Sequence, residues 1–442
     1  MWSTVHNKVL DILGVGVGPF NLSLACLAEP LPIDTIFFDN SLRFEWHPGL
    51  LIEESTLQVP FLADLVTFAD PTSPFSFLNY LKQTNRIYPF FIRENMFILR
   101  AEYSRYCYWV AQQLPNVHFG KSVDRIEYDK NQRLYHVFAR DVNSNITNEY
   151  FARNIVLGTG STPYMPEVGD ASASSDVIHS SCYLNHKESI QQASSITVVG
   201  SGQSAAEIFM DLLKDLNDRH FYELNWVTRS PRFFPLEYGK LTLEFTSPDY
   251  LNYFHGLPAV TRNQLIKEQS PLYKGINLSL INEIYDLLYT KSIQQSLAVR
   301  IIPNISLEQI SQDENKRLNL HFYQNEVDKS VHLTTDKVIM GTGYRYSLPE
   351  CITPLLPILN FDENGQLDVA LDYEISDEGN IFVQNVGLHT HGLVTPDLGM
   401  GCYRNSIILK KIIGRDCYPI ERKIAFQDFS PYLSKEVVSE KS

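Results

Sequence analysis

Apolar residues alternate along this chain between short continuous runs and helically spaced stripes. Residues 9–13 form a mostly apolar run of strand length, and Asn21-Leu22-Ser23-Leu24-Ala25-Cys26-Leu27 then carries helical spacing. Thr35-Ile36-Phe37-Phe38 predicts a second strand, residues 99–114 a helix, and 117–150 an antiparallel set with Asn-rich turns. Residues 151–157, 195–199, 224–227, 338–340 and 381–387 read as further strands, and 206–213 and 403–413 as helices. Between Phe44 and Phe77 the pattern fails, broken by Pro60, Pro71 and Pro74 but rich in Trp, Phe and His. An ordered loop wrapped over a ligand is expected there, with aromatic filling of a core beneath it as the alternative. Residues 231–297 turn aromatic and helical, as an insertion covering a cleft would, and the polar tail from Phe426 is expected to fray.

Glycines at the strand ends give the alternation a purpose. Gly14-Val15-Gly16-Val17-Gly18 joins the first strand to the first helix, a geometry that lets backbone approach a pyrophosphate at the helix N-terminus. Asp39, ending the second strand, stands where a ribose hydroxyl is taken. Pro19 replaces the third fingerprint glycine, so on these residues alone a plain strand–helix connection stays open. A second loop, Gly200-x-Gly202-x-x-Ala205, follows residues 195–199. Where an NAD site carries an acid this chain has Thr228-Arg229-Ser230, which suits a 2′-phosphate and therefore NADPH. The alternative is a surface arginine closing a strand. Gly158-Thr159-Gly160 and Gly341-Thr342-Gly343 end two strands alike on either side of the second loop, as when one domain interrupts another. The expected architecture is α/β with two Rossmann-like dinucleotide-binding domains, the second inserted in the first. Residues 1–163 and 341–442 would hold FAD, 164–232 and 299–340 NADPH, and 233–298 would form a small, mostly helical region over the substrate.

Bulk properties narrow the chemistry. With 442 residues, 44% hydrophobic and 20% charged, the chain can bury two or three cores. No apolar run approaches the ~20 residues of a membrane span, and residues 1–7 lack a signal-peptide pattern. Six scattered cysteines without a C-x-x-C pair fit a reducing cytoplasm and argue against thiol–disulfide reduction, which leaves oxygen as the leading electron acceptor. A formal charge of −14 disfavours nucleic acid and anionic membrane and suits a cationic substrate. His389-x-His391 lacks a third ligand near by, so no metal is expected.

Several motifs occur together: Gly14-Val15-Gly16-Val17-Gly18-Pro19-Phe20-Asn21-Leu22, Phe44-x-Trp46-His47-Pro48-Gly49, Asp64-Leu65-Val66, Pro71-Thr72-Ser73-Pro74, Gly200-Ser201-Gly202-Gln203-Ser204-Ala205, Gly341-Thr342-Gly343-Tyr344 and Thr390-His391-Gly392. Through them the chain, from about residue 9 to 414, resembles the microbial N-hydroxylating flavin monooxygenases of siderophore biosynthesis, which act on lysine, ornithine or aliphatic diamines. The resemblance implies that Trp46, His47 and Gln58 lie against FAD and that Gln203, Ser204 and Arg229 hold NADPH. Thr342, Gly343 and Met400 complete the expected cofactor contacts. It further implies a homo-oligomer, tetramer or dimer, and a reaction in which NADPH reduces FAD and O₂ forms a C4a-hydroperoxide. A neutral primary amine then attacks the distal oxygen. A free amine of pKa ~10.4 is neutral in roughly one molecule in a few thousand at pH 7, so a dry pocket must lower that pKa.

The departures from the family select the substrate. Its amino-acid hydroxylases carry a carboxylate-binding lysine where Ala63 stands and use a serine at the place of Gly399. An amino acid would therefore bury its carboxylate unpaired, at a cost of several kcal/mol. A diamine has no carboxylate and needs an acid for its distal ammonium instead, with Asp397 the candidate and Glu244 the reserve. The expectation is N-hydroxylation of one amine of a diamine, putrescine before cadaverine. A lysine or ornithine N-monooxygenase with a relocated carboxylate site, and a non-hydroxylating NADPH diaphorase or nucleotide-binding protein, remain open.

Overall fold

Val5–Val15 is the central strand of a seven-stranded sheet, and Ile12 and Leu13 are fully buried on its opposite faces. A parallel strand covered on both sides is apolar at most positions, which is why residues 9–13 read as a mostly apolar run. The computed structural model describes residues 5–216, 220–294 and 296–430. Val5–Val15 pairs in parallel with Thr35–Phe38 on one side and Thr147–Leu157 on the other. The end of Thr147–Leu157 also pairs in parallel with Asn380–Val383, while its beginning turns away into an antiparallel meander with Leu134–Asp141 and Lys121–Asp129. The antiparallel set starts only at Lys121, because Val117–His118 joins Phe37 and Phe38 in parallel at the sheet edge. Helices Pro19–Ala28 and Gly401–Ile413 pack together over one face.

A second, five-stranded parallel sheet runs in the order Val177–His179, Lys337–Met340, Ser195–Val199, Glu223–Val227, Val299–Ile302. Helix Gln203–Asp215 covers one face with Ile208, Phe209, Leu212 and Leu213 buried. The other face carries a three-stranded antiparallel layer, Ile305–Gln312, Leu318–Gln324 and Lys329–Thr335, whose buried Ile310, Leu318, Leu320 and Phe322 the sequence pattern did not resolve into strands. Where the chain passes between the sheets, Thr162–Pro163 pairs antiparallel with Tyr344–Arg345, so both crossings run side by side. The described residues contain no helix long and apolar enough to cross a membrane.

The proline-broken stretch from Phe44 to Phe77 contains a short strand, Thr56–Pro60, paired with Phe97–Leu99. Its aromatics divide: Phe75 and Phe77 are core residues, Phe44 is buried at the core edge of a cavity, and Trp46 and His47 line that cavity. Buried Asp64 organises the loop, accepting hydrogen bonds from the Val66, Thr67 and Phe77 N–H groups and the Thr67 hydroxyl at 2.7–2.9 Å.

The aromatic region between the last two strands of the second sheet is helical: Lys240–Leu243, Pro248–His255, Ala259–Glu268 and Leu278–Gln294. The expected fraying from Phe426 is not found as far as residue 430. Glu244 accepts the Phe426 and Gln427 N–H groups at 2.8 and 3.0 Å and fixes that segment on the insertion. Residues 431–442 lie outside the described chain.

Candidate cofactor and substrate cavity

The two glycine loops are built alike, and each glycine has its own task. Gly16, at φ +84°, brings its backbone so close to the neighbouring strand end that a Cβ would stand 2.5 Å from the Gly158 carbonyl. Gly200, at φ +135°, meets the Gly341 carbonyl in the same way at 2.3 Å. The repeated Gly-Thr-Gly strand endings are thus the surfaces on which the two nucleotide loops rest. Gly14 makes room for the Phe37 ring instead. Gly18 and Gly202 immediately precede helices Pro19–Ala28 and Gln203–Asp215, and a Cβ on either would meet no protein atom within 4 Å. Open space at two helix N-termini, reached by N–H groups without partners of their own, fits two pyrophosphates. Pro19 occupies the first helical position, where proline loses no hydrogen bond, so its presence does not spoil the site.

A cavity of about 1230 Å³ extends from Gly16, Gly18 and Pro19 past Asp39, Trp46, His47 and Gln58 to Asp397. That volume exceeds the roughly 300–1,000 Å³ of an ordinary ligand pocket and leaves room for a dinucleotide and a small substrate together. Asp39 accepts the Val17 N–H at 2.7 Å and the Ser41 N–H at 2.8 Å, which fixes it at the cavity edge. His47 is held at φ 50°, a conformation that costs a non-glycine residue energy, with its ring edge-on to Trp46 and near Tyr344. Enclosure by protein and then the Arg100 guanidinium hold its imidazole down to about 4, so the ring is neutral at physiological pH.

A second cavity of about 1100 Å³ adjoins the first, and both are lined by Thr56, Gln58, Leu236 and Tyr238. A chain of hydrogen bonds crosses this junction. Gln58 Nε2 donates to Asn277 Oδ1 at 3.0 Å, the Asn277 N–H to Gln203 Oε1 at 2.9 Å, and Gln203 Nε2 to Glu207 Oε1 at 3.0 Å. Glu207 then pairs with Arg100. The chain of bonds links strand Thr56–Pro60, the helical insertion, helix Gln203–Asp215 and Arg100 where the two cavities adjoin. Asn277, Arg100 and Glu207 were not singled out from the sequence, because no local motif marks residues that meet only after folding. Nor was the role of Asn21, whose side chain donates to the Gly16 carbonyl at 2.8 Å and ties down the glycine loop.

Other expected cofactor residues divide. Arg229 is exposed just beyond strand Glu223–Val227, and Ser204 is half-buried in the first turn of its helix. The Thr342 hydroxyl donates to the Tyr164 carbonyl, and that side chain serves the crossing between the sheets rather than lining the large cavity. Gly343, at φ +80°, spends its carbonyl on the Tyr164 N–H and His179. The Met400 side chain lies in the hydrophobic core, not along the cavity wall. His389 and His391 have separate partners: His389 Nε2 contacts the Leu367 carbonyl at 2.9 Å, and His391 stacks on Tyr373.

Behind Asp397, and not among the residues lining the cavity, Ala63 and Gly399 come together although more than 330 positions separate them. A Cβ on Gly399 would stand 3.8 Å from the Ala63 Cβ and 3.0 Å from Asp397 Oδ1. Asp397 lines the cavity and accepts the Gly399 N–H at 2.6 Å. Burial raises its carboxyl pKa, partly opposed by that N–H and the Met400 N–H. Tyr238 lies within its field, and burial together with Asp397 pushes the phenol up to about 12. Glu244, the reserve candidate, is corrected: its carboxylate is taken by the backbone of residues 426 and 427, and it does not line the cavity.

The family profile described as L-lysine 6-monooxygenase/L-ornithine 5-monooxygenase matches residues 8–346. A putrescine N-hydroxylase of Acinetobacter baumannii is 49% identical over 433 residues, covering 98% of this chain and 96% of that protein. A putrescine N-hydroxylase of Shewanella oneidensis is 51% identical over 431 residues, covering 97% and 85%. The FAD-bound cadaverine monooxygenase of the desferrioxamine biosynthetic pathway of Erwinia amylovora superposes with a TM-score of 0.93 at 47% identity, covering 96% of this chain and 98% of that one.

Proposed function

The chain belongs to the L-lysine 6-monooxygenase/L-ornithine 5-monooxygenase family, and within it we propose that it N-hydroxylates one primary amine of an aliphatic diamine, putrescine before cadaverine, for a hydroxamate siderophore. The observation that carries this is the junction of Ala63, Gly399 and Asp397. Neither Ala63 nor Gly399 offers a donor side chain to a carboxylate, and the acid beside them suits an ammonium. Relatives named for putrescine and cadaverine support the same reading.

In this reading residues 1–163 and 341–442 hold FAD, 164–232 and 299–340 hold NADPH, and 233–298 cover the substrate. The loop at Gly18 takes the FAD pyrophosphate, with Trp46, His47 and Gln58 along the flavin. Gly202, Gln203, Ser204 and Arg229 take NADPH. FAD reduced by NADPH supplies, with O₂, the oxygen atom delivered to the amine, and the second oxygen leaves as water. The protein holds the distal ammonium at Asp397 so that the other nitrogen reaches the flavin end. Desolvation in the cavity disfavours the ammonium form of the reacting amine, which then sheds its proton and presents a lone pair.

The exposed apolar side chains Tyr88, Phe91, Ile92 and Met96 support a homo-oligomer, and six free cysteines suit a cytoplasmic setting.

A substrate panel tests the reading. Hydroxylamine formation is measured with putrescine, cadaverine, lysine and ornithine, and NADPH oxidation and peroxide release are followed in parallel. Coupled turnover of the diamines is expected. Turnover of lysine or ornithine alone would favour a relocated carboxylate site, and peroxide with every amine a diaphorase. D397N is expected to raise the diamine KM by about 10–100-fold, the scale of one lost charge-assisted contact.

A further inference from the structure

We propose that the C-terminal segment 424–430 is a strap that holds one wall of the amine pocket in place and thereby sets which diamine length is accepted, an inference that rests on the diamine reading above. After helix Gly401–Ile413 the chain returns across the insertion. There two carboxylates take four consecutive backbone N–H groups. Asp249 Oδ2 accepts from Ile424 at 2.8 Å and Ala425 at 3.2 Å. Glu244 accepts from Phe426 at 2.8 Å and Gln427 at 3.0 Å. The Gln427 side chain adds bonds to Glu244 Oε2 and to the Leu241 carbonyl, at 3.0 and 2.6 Å. The Phe429 ring then closes a cluster with Phe245, Tyr250 and Tyr253, at centroid distances of 5.3, 5.0 and 6.3 Å.

The segment so held is short, and besides the strap it rests on helix Pro248–His255. Lys240–Leu243 is a single helical turn followed by Glu244–Thr246, and Leu241 is 63% exposed. One side of it, through Leu241 and Glu244, faces the strap. The other, through Thr242, Leu243 and Thr246, lines the large cavity together with Asp397. Glu244–Thr246 also lies against Gly392–Val394, the turn that leads into Pro396 and Asp397. The wall and the ammonium acceptor are therefore referenced to each other, and their spacing is the dimension that separates a four-carbon from a five-carbon diamine. A fixed wall discriminates one methylene by roughly 10–200-fold, and a wall that yields loses that ratio.

The strap is tested in the full-length, FAD-loaded chain by E244A and F429A, two substitutions on different parts of it. Each is expected to raise KM for the preferred diamine about tenfold and to bring the putrescine-to-cadaverine ratio of kcat/KM towards one. The NADPH KM and the rate of flavin reduction are expected to stay at the wild-type values. Amide hydrogen exchange over residues 240–246 is expected to accelerate in both. Exchange and chain-length ratio both unchanged in folded variants would overturn the proposal, as would a parallel loss of flavin reduction. If the wild type hydroxylates no diamine, the functional reading fails by itself, and exchange at residues 240–246 still decides the strap.

Discussion

Arg100 and Glu207 meet in a bidentate ion pair between helices Arg100–Ala111 and Gln203–Asp215, with Nη1–Oε2 and Nη2–Oε1 both at 2.8 Å. The side chains are 11% and 4% exposed, and Arg100 Nη1 also donates to the Leu50 carbonyl at 3.0 Å. A pair this enclosed acts chiefly by geometry, since desolvation offsets much of its Coulomb attraction. Glu207 also accepts from Gln203, so one carboxylate sets the angle of a residue on each side.

Removing one partner should cost far more than removing both. E207Q leaves the Arg100 charge buried without its counterion and is expected to destabilise the protein by about 3–5 kcal/mol, while R100M/E207M should recover most of that. Equilibrium denaturation of the single and double variants measures the difference. An E207Q variant as stable as wild type would show that water relieves the charge.

The glycine loops predict opposite outcomes at neighbouring positions. Gly18 and Gly202 have ordinary extended dihedrals and open space around a Cβ, so G18A and G202A should fold normally. Their methyl groups would stand where the cofactors' phosphates belong, lowering FAD retention and NADPH affinity respectively by about tenfold, the scale of one misplaced methyl. G16A faces φ +84° and the Gly158 carbonyl, and should lose at least the roughly 1–2 kcal/mol of a left-handed non-glycine residue. Thermal melts and flavin content separate the two classes.

Exposure at the end of its strand leaves Arg229 free to take a 2′-phosphate. R229A should raise the NADPH KM by about 10–100-fold, corresponding to the roughly 1.5–3 kcal/mol of a charged hydrogen bond, and leave the NADH KM nearly unchanged. Steady-state kinetics with the two coenzymes reads this directly, and an equal loss with both would remove Arg229 from the coenzyme site.

Fully buried His391 should make the fold sensitive to acid. Burial first, then His255 and Arg404, hold its imidazole down to about 3, with the Leu371 carbonyl opposing them and His389 adding slightly. Its folded pKa lies below that of the unfolded chain, so on acidification the unfolded state binds a proton that the folded state refuses. Stability is therefore kept above about pH 6.5 and lost below it. About 2 kcal/mol should disappear between pH 8 and pH 5 on this account. Urea unfolding across that range should show the loss, and H391N should flatten it.

Much of the secondary structure was legible because the parallel strands are covered on both faces. Thr35–Phe38 was predicted to the residue, and most other strand and helix readings differ from the structure by a few residues at their ends. The three-stranded layer over residues 305–335 was not resolved: Leu318, Leu320 and Phe322 alternate regularly with polar residues, but the strands on either side of them do not. Residues 426–430 were misread because polar composition alone predicts fraying, whereas two carboxylates on a distant segment supply the backbone there with partners. Glu244 was misassigned for the same reason: an acid in a cleft-covering region looks available until its hydrogen bonds are known.

The sequence by itself determined that two strands turn on glycines into helices, that an arginine ends the strand after the second helix, and that Ala63 and Gly399 offer no donor side chain. These are properties of single residues and of local spacing, which the chain carries before it folds. Only the tertiary structure decided that Ala63 and Gly399 face each other beside Asp397, that Glu244 belongs to the tail, and that Arg100 and Glu207 tie two helices together. Such contacts join positions tens to hundreds of residues apart, and what sets their distance is the packing of whole sheets and helices.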